Sequence, residues 1–86
     1  MRIQTRIDPA GPVTFLVEGS VNASCIADFE RAFGAARRLG KVIRLDLSEM
    51  TLVDRPGLQY LIDLTGGEVT LVNCPEYVKR WMRREP

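Results

Sequence analysis

Apolar and polar positions alternate from the start of the chain. Ile3, Thr5 and Ile7 share one face of a segment that stops at Asp8-Pro9-Ala10-Gly11-Pro12. Two prolines there cannot donate backbone hydrogen bonds, so a strand followed by a hairpin turn is predicted. From Pro12 to Glu18 the period of two returns, with Val13, Phe15 and Val17 on one side of a β-branched and aromatic run. Gly19-Ser20-Val21-Asn22 breaks that pattern, and either Asn22 or Ser24 offers a side-chain oxygen to the open amides of a helix. Ile26, Phe29, Phe33, Ala36 and Leu39 then recur at helical spacing, and Gly40 ends the run behind Arg37 and Arg38. Lys41 to Ser48 is a nearly continuous apolar stretch suited to a central strand, with Glu49 to Val53 as a short connection after it.

The second half of the chain repeats this grammar. Asp54-Arg55-Pro56-Gly57 pairs an acidic cap candidate with a proline in the first helical turn. Leu58, Leu61 and Ile62 give the helix an apolar face of about two turns before Gly66-Gly67. Glu68 to Val72 reads as the last strand. Pro75 opens a third helix with Val78, Trp81 and Met82 inward and Lys79, Arg80, Arg83 and Arg84 outward. The expected order is ββαβαβα in one domain over residues 1–86, an α/β fold. Its mixed sheet would have four strands, with right-handed crossovers and three helices packed on it.

Composition narrows the chemistry more than the fold. Apolar residues make up 45% of the 86 residues and charged residues 27%, which favours one soluble core over disorder. Twelve basic and eleven acidic side chains leave a net charge of +1, so no field is set up to hold a nucleic-acid backbone. Histidine is absent, which removes the commonest general base and metal ligand. The cysteines, Cys25 and Cys74, are too far apart for a CxxC motif and are expected reduced and buried. With no apolar leader and no run long enough to cross a bilayer, the expectation is a cytoplasmic protein without a cofactor.

Three strings resemble the STAS family, the fold of bacterial anti-sigma factor antagonists and of sulfate-transporter regulatory domains. Gly19-Ser20-Val21-Asn22 is similar to its G-E-L-D turn. Leu45-Asp46-Leu47-Ser48-Glu49-Met50-Thr51-Leu52-Val53-Asp54-Arg55-Pro56-Gly57-Leu58 resembles its L-D-L-S-x-V-x-F-I-D-S-S-G-L block. Leu71-Val72-Asn73-Cys74-Pro75 with Val78 resembles its closing strand and helix. The resemblance runs from about Val13 to Met82 and implies a non-catalytic, protein-binding domain that regulates transcription in bacteria. Antagonists of this kind bind a kinase that is itself an anti-sigma factor, and phosphorylation releases them. Within the family, docking on the ATPase of a lipid-transport ABC complex is the alternative. A small-ligand or nucleotide-binding module is another, although no Gly-rich phosphate loop is present.

Two departures qualify what the resemblance implies. Arg55 and Pro56 stand where the family has its phosphorylatable hydroxyls, so no phosphorylation is expected at that turn, and Thr51 is the nearest hydroxyl. The second helix is also read as shorter than the family's by more than one turn, which predicts uncovered apolar surface around Tyr60 and a homodimer.

Because the turns at Gly19–Asn22 and Asp54–Gly57 each follow a strand and precede a helix, they are expected at one sheet edge. Asn22, Asp54, Arg55, Pro56 and Gly57 are therefore the candidate partner-binding residues, with no catalytic or metal residue named. Each also has a plainer role. Asp54 would cap the second helix, and Arg55 would be a solvated cation at a helix end where positive charge is disfavoured. Asp46 inside an apolar strand is expected to be hydrogen-bonded to nearby loop amides. Cys25 in a first helical turn is the nearest thing to a nucleophile, but it lacks a base. The basic face of the last helix, opposed locally by Glu76 and Glu85, reads as a solvated face that complements its dipole.

Overall fold

The computed structural model describes residues 1–84, and Glu85 and the outward side chain expected at Arg84 lie outside the described residues. Its elements are β1 (Arg2–Ile7), β2 (Val13–Val21), a 3-10 turn (Ala23–Cys25), α1 (Ile26–Arg38), β3 (Ile43–Val53), α2 (Arg55–Thr65), β4 (Val69–Val72) and α3 (Glu76–Arg84). The sheet order is β1-β2-β3-β4, with β1 antiparallel to β2 and the remaining pairs parallel. Both crossovers step the same way across the sheet. With the usual right hand they lay α1 and α2 on the same face.

The burial pattern follows that geometry. Val13, Phe15, Val17 and Val21 of β2 and Ile43, Leu45 and Leu47 of β3 point into one core with Phe29, Phe33, Leu58, Leu61 and Val78 from the three helices. Phe33 packs edge-on against Phe15 and stacks on Phe29, which in turn stacks on Tyr60 at 5.6 Å. Such aromatic contacts add roughly 0.5–1.5 kcal/mol each beyond area burial. The opposite sheet face carries Thr14, Glu18, Arg44, Asp46 and Thr70, and none of these is buried.

At the hairpin, Asp8 accepts from the Ala10 amide at 2.9 Å, and the Lys41 ammonium donates to the carbonyls of Asp8, Pro9 and Gly11. Lys41 thus ties the β1–β2 turn to the start of β3. Gly40, at φ 67°, closes the end of α1 as its sequence position suggested.

Four expectations need correction. First, β2 continues to Val21 and does not stop at Gly19. Gly19 sits at φ 92°, and the β2–β3 register shifts on either side of it. Second, Glu49 to Val53 is not a connection but the continuation of β3. Its buried positions pass from 43, 45 and 47 to 50 and 53, so the period of two fails there while pairing to β2 persists. Third, α2 has 11 residues, about three turns, with Leu58, Leu61 and Leu64 buried and Tyr60 stacked. The apolar surface expected to be bare there is covered. Fourth, Cys25 is buried but Cys74 is only half-buried, and both are free thiols. In α3, Val78 is fully buried while Trp81 and Met82 close the edge of the core at intermediate exposure.

Candidate partner-binding edge

β2 and β3 end side by side. Val21 and Val53 are register partners, and the Asp54 amide donates to the Val21 carbonyl at 3.1 Å. That bond fastens the turn after β3 to the last residue of β2. One residue beyond Val21, Asn22 begins the turn into α1.

Asn22 is an N-cap of extended backbone. Its side-chain oxygen accepts from the Ser24 amide at 3.0 Å and from the Ser24 hydroxyl, and its carbonyl accepts from the Cys25 amide at 3.0 Å. The Cys25 thiol donates toward the Ser20 carbonyl at 3.6 Å and lies 3.5 Å from the Asn22 side-chain oxygen. Buried against these groups, the thiol acts as a small core side chain with a weak donor.

Asp54 caps α2 in the same manner. Its carboxylate accepts from the Gly57 amide at 2.8 Å, Pro56 occupies the first turn, and α2 begins at Arg55. Asp54, Arg55 and Pro56 are exposed, Asn22 is half-buried and Gly57 is buried. The five residues expected at one edge are therefore brought together, but Gly57 lies beneath the surface. Its part is to let the first turn of α2 approach the end of β2 closely.

Asp46 sits one strand position in from the loop that leaves β4, since it pairs with Val72. Its carboxylate accepts from the Ser48 amide at 2.9 Å and from the Asn73 side-chain amide at 3.2 Å. Burial works against its charged form, but these bonds, with the Ser48 hydroxyl and the nearby Arg6, outweigh it and hold the pKa below the usual aspartate value. The partners are the amide and hydroxyl of Ser48, on its own strand, and the side chain of Asn73, where loop amides were expected. Asn73, at φ 54°, has no counterpart among the sequence-derived candidates, although an Asn just after a strand is a recognisable signal for left-handed backbone.

The turn after β4 does not reach the candidate edge. β4 ends opposite Asp46, whereas β3 runs on to Val53. Thr51, on that extension, is exposed, and its carbonyl accepts from the Tyr77 hydroxyl at 3.3 Å. On the other flank of the core, Arg37 bridges Glu30 at 2.8 Å and Glu68 at 3.0 Å. Among the described residues no group of three or more carboxylate or thiol side chains is placed to hold a metal ion, and no helix is long and apolar enough to cross a membrane.

By sequence, no family model and no curated protein matches the chain. By structure, the chain is similar to the anti-sigma factor antagonist SpoIIAA in its unphosphorylated form. That match has a TM-score of 0.69 at 13% identity, covering 99% of this chain and 84% of the other. It is also similar to an uncharacterized protein from Shewanella loihica with a SpoIIAA-like fold, with a TM-score of 0.52 at 14% identity over 96% of this chain and 73% of that one. The expected α/β architecture is thus a STAS-like fold in the structure as well.

Proposed function

We propose that this chain is a non-catalytic regulatory domain that binds a protein partner through the edge formed by Asn22, Asp54, Arg55 and Pro56, with buried Gly57 supporting the turn. The observation that carries this reading is the bond from the Asp54 amide to the Val21 carbonyl, which holds two exposed turns together on a rigid sheet. Likeness to an anti-sigma factor antagonist supports a partner of the anti-sigma factor type, and hence a role in regulating transcription in a bacterial cytoplasm.

The turn itself carries no hydroxyl, because Arg55 and Pro56 occupy both positions. A partner that recognises the unphosphorylated state would therefore find this domain permanently competent. Incubation with a cognate or related kinase and ATP should leave 54–58 unmodified in peptide mass spectra, while the same protein captures the kinase. Stoichiometric phosphate on Thr51 would mean that the switch has moved along β3.

A second partner of the same class, the ATPase of a lipid-transport ABC complex, would use the same edge. Genomic neighbours separate the two: a sigma-regulating kinase supports the first, transporter subunits the second. A small ligand or nucleotide would instead raise the melting temperature on titration. Self-association would draw on a surface other than α2, whose apolar face is packed against the core.

A further inference from the structure

We infer that a second copy of this chain docks antiparallel on β1, with Thr5 on the two-fold axis, to make one continuous sheet. β1 ends the sheet and pairs only with β2, so its outer backbone groups face away from the fold. The other end of the sheet, β4, is only four residues long, and short edges resist this kind of pairing. Beside β1, a groove lined by Thr5, Ile7, Ala32, Ala35 and Leu39 runs along α1. Ile7 is 68% exposed and Leu39 71%, the two most exposed large apolar side chains in the chain's described part.

The strand is complementary to itself in one register. Residues directly opposite in an antiparallel pair share a face, so helices of both copies fall on the same side only when odd positions oppose odd ones. With Thr5 opposite Thr5 of the second copy, Ile3 faces Ile7 and Gln4 faces Arg6, while Arg2 lies level with the start of the turn that follows β1. The Thr–Thr pair is of a kind that stabilises a sheet, and this register sets no like charges against each other. A shift of two residues one way sets Arg2 against Arg6, and a shift the other way sets Arg6 against itself. Like charges directly opposite are destabilising, so both alternatives are disfavoured. The pairing is isologous, and each contact occurs twice.

A strand this short buries less than a standard interface, so the dimer belongs in the micromolar range. Sedimentation equilibrium over about 1 to 100 µM should show the mass rising from monomer to dimer. Ile7→Lys should raise the dissociation constant by about tenfold or more, and Leu52→Lys, at a position 66% exposed on a different surface, should not. In a Cys74→Ser background, Thr5→Cys should form an intermolecular disulfide under mild oxidation. Opposed Cα atoms lie roughly 4.5–5.5 Å apart, within disulfide reach. Ile3→Cys, whose counterpart sits four positions away along the strand, should remain reduced. A monomer at every concentration overturns the proposal. So does a dimer that ignores Ile7→Lys, or one that cross-links through Ile3→Cys and not Thr5→Cys.

Discussion

A β-carbon on Gly57 would sit 2.8 Å from the carbonyl oxygen of Val21 and 3.0 Å from a carboxylate oxygen of Asp54. The Val21 oxygen is backbone at the end of a paired strand and also accepts from the Asp54 amide, so it cannot yield without breaking the edge. Gly57→Ala should therefore destabilise the fold by about 1–3 kcal/mol, the usual cost of overpacking, as measured by urea denaturation. Unchanged stability would show that the first turn of α2 has room to move.

Asp54 is a cap as well as a candidate contact, and two substitutions separate these roles. Asp54→Ala should lower stability by about 1 kcal/mol through loss of the bond to the Gly57 amide. Asp54→Asn keeps a capping oxygen while removing the charge, so it should melt near the parent temperature. Partner capture by Asp54→Asn then reports on the charge alone: normal capture assigns Asp54 to the helix and not to the partner.

Arg55→Glu should abolish partner capture while the protein still folds, with a single cooperative melting transition. The position is exposed, and an acid at the start of α2 suits the helix dipole better than a cation does. Charge reversal at an interface commonly costs several kcal/mol. Arg83→Glu, on the exposed face of α3, should bind as the parent does. The reverse result would place recognition on the basic last helix.

Asp46 gives the fold a dependence on acid. Its folded pKa lies below the ordinary value, so the stabilisation it contributes is complete above the unfolded pKa of about 3.9 and disappears as pH falls through the folded value. Urea midpoints at pH 6 should place the parent above Asp46→Asn, and the gap should narrow as the buffer is taken below about pH 4. A gap that stays constant with pH would mean that the carboxylate contributes by shape and not by charge. Glu68, held down by its own backbone amide and by Arg37, titrates in the same sense at the surface.

How far the sequence could be read depended on the range of each signal. Caps are local: Asn22 and Asp54 act on amides two or three residues away, so both helix starts, and with them the candidate edge, follow from short strings. The far halves of β2 and β3 were hidden because period two fails where the register shifts near Gly19 and Met50, leaving Leu52 outward between Met50 and Val53. The third turn of α2 rests on Leu64, which stands alone before Gly66-Gly67 and so extends the face of Leu58 and Leu61 without a strong local signal. The backbone of Asn73 has a local signal, but its bond to Asp46 spans 27 positions and has none. The exposure of Ile7 and Leu39 depends on what lies over an edge strand, and no local pattern encodes that.

The unequal lengths of β3 and β4 divide the central strand into two regimes of backbone protection. From Ile43 to Asp46 it has paired neighbours on both sides, whereas from Glu49 onward it is held by β2 alone. Amide hydrogen exchange should therefore be slowest in the first stretch and quicken toward Val53, because local opening there breaks one ladder and not two. The turn at Asp54 is thus mounted on the more pliant end of the longest strand. A bound partner would be read as slowed exchange spreading back along β3 from that turn.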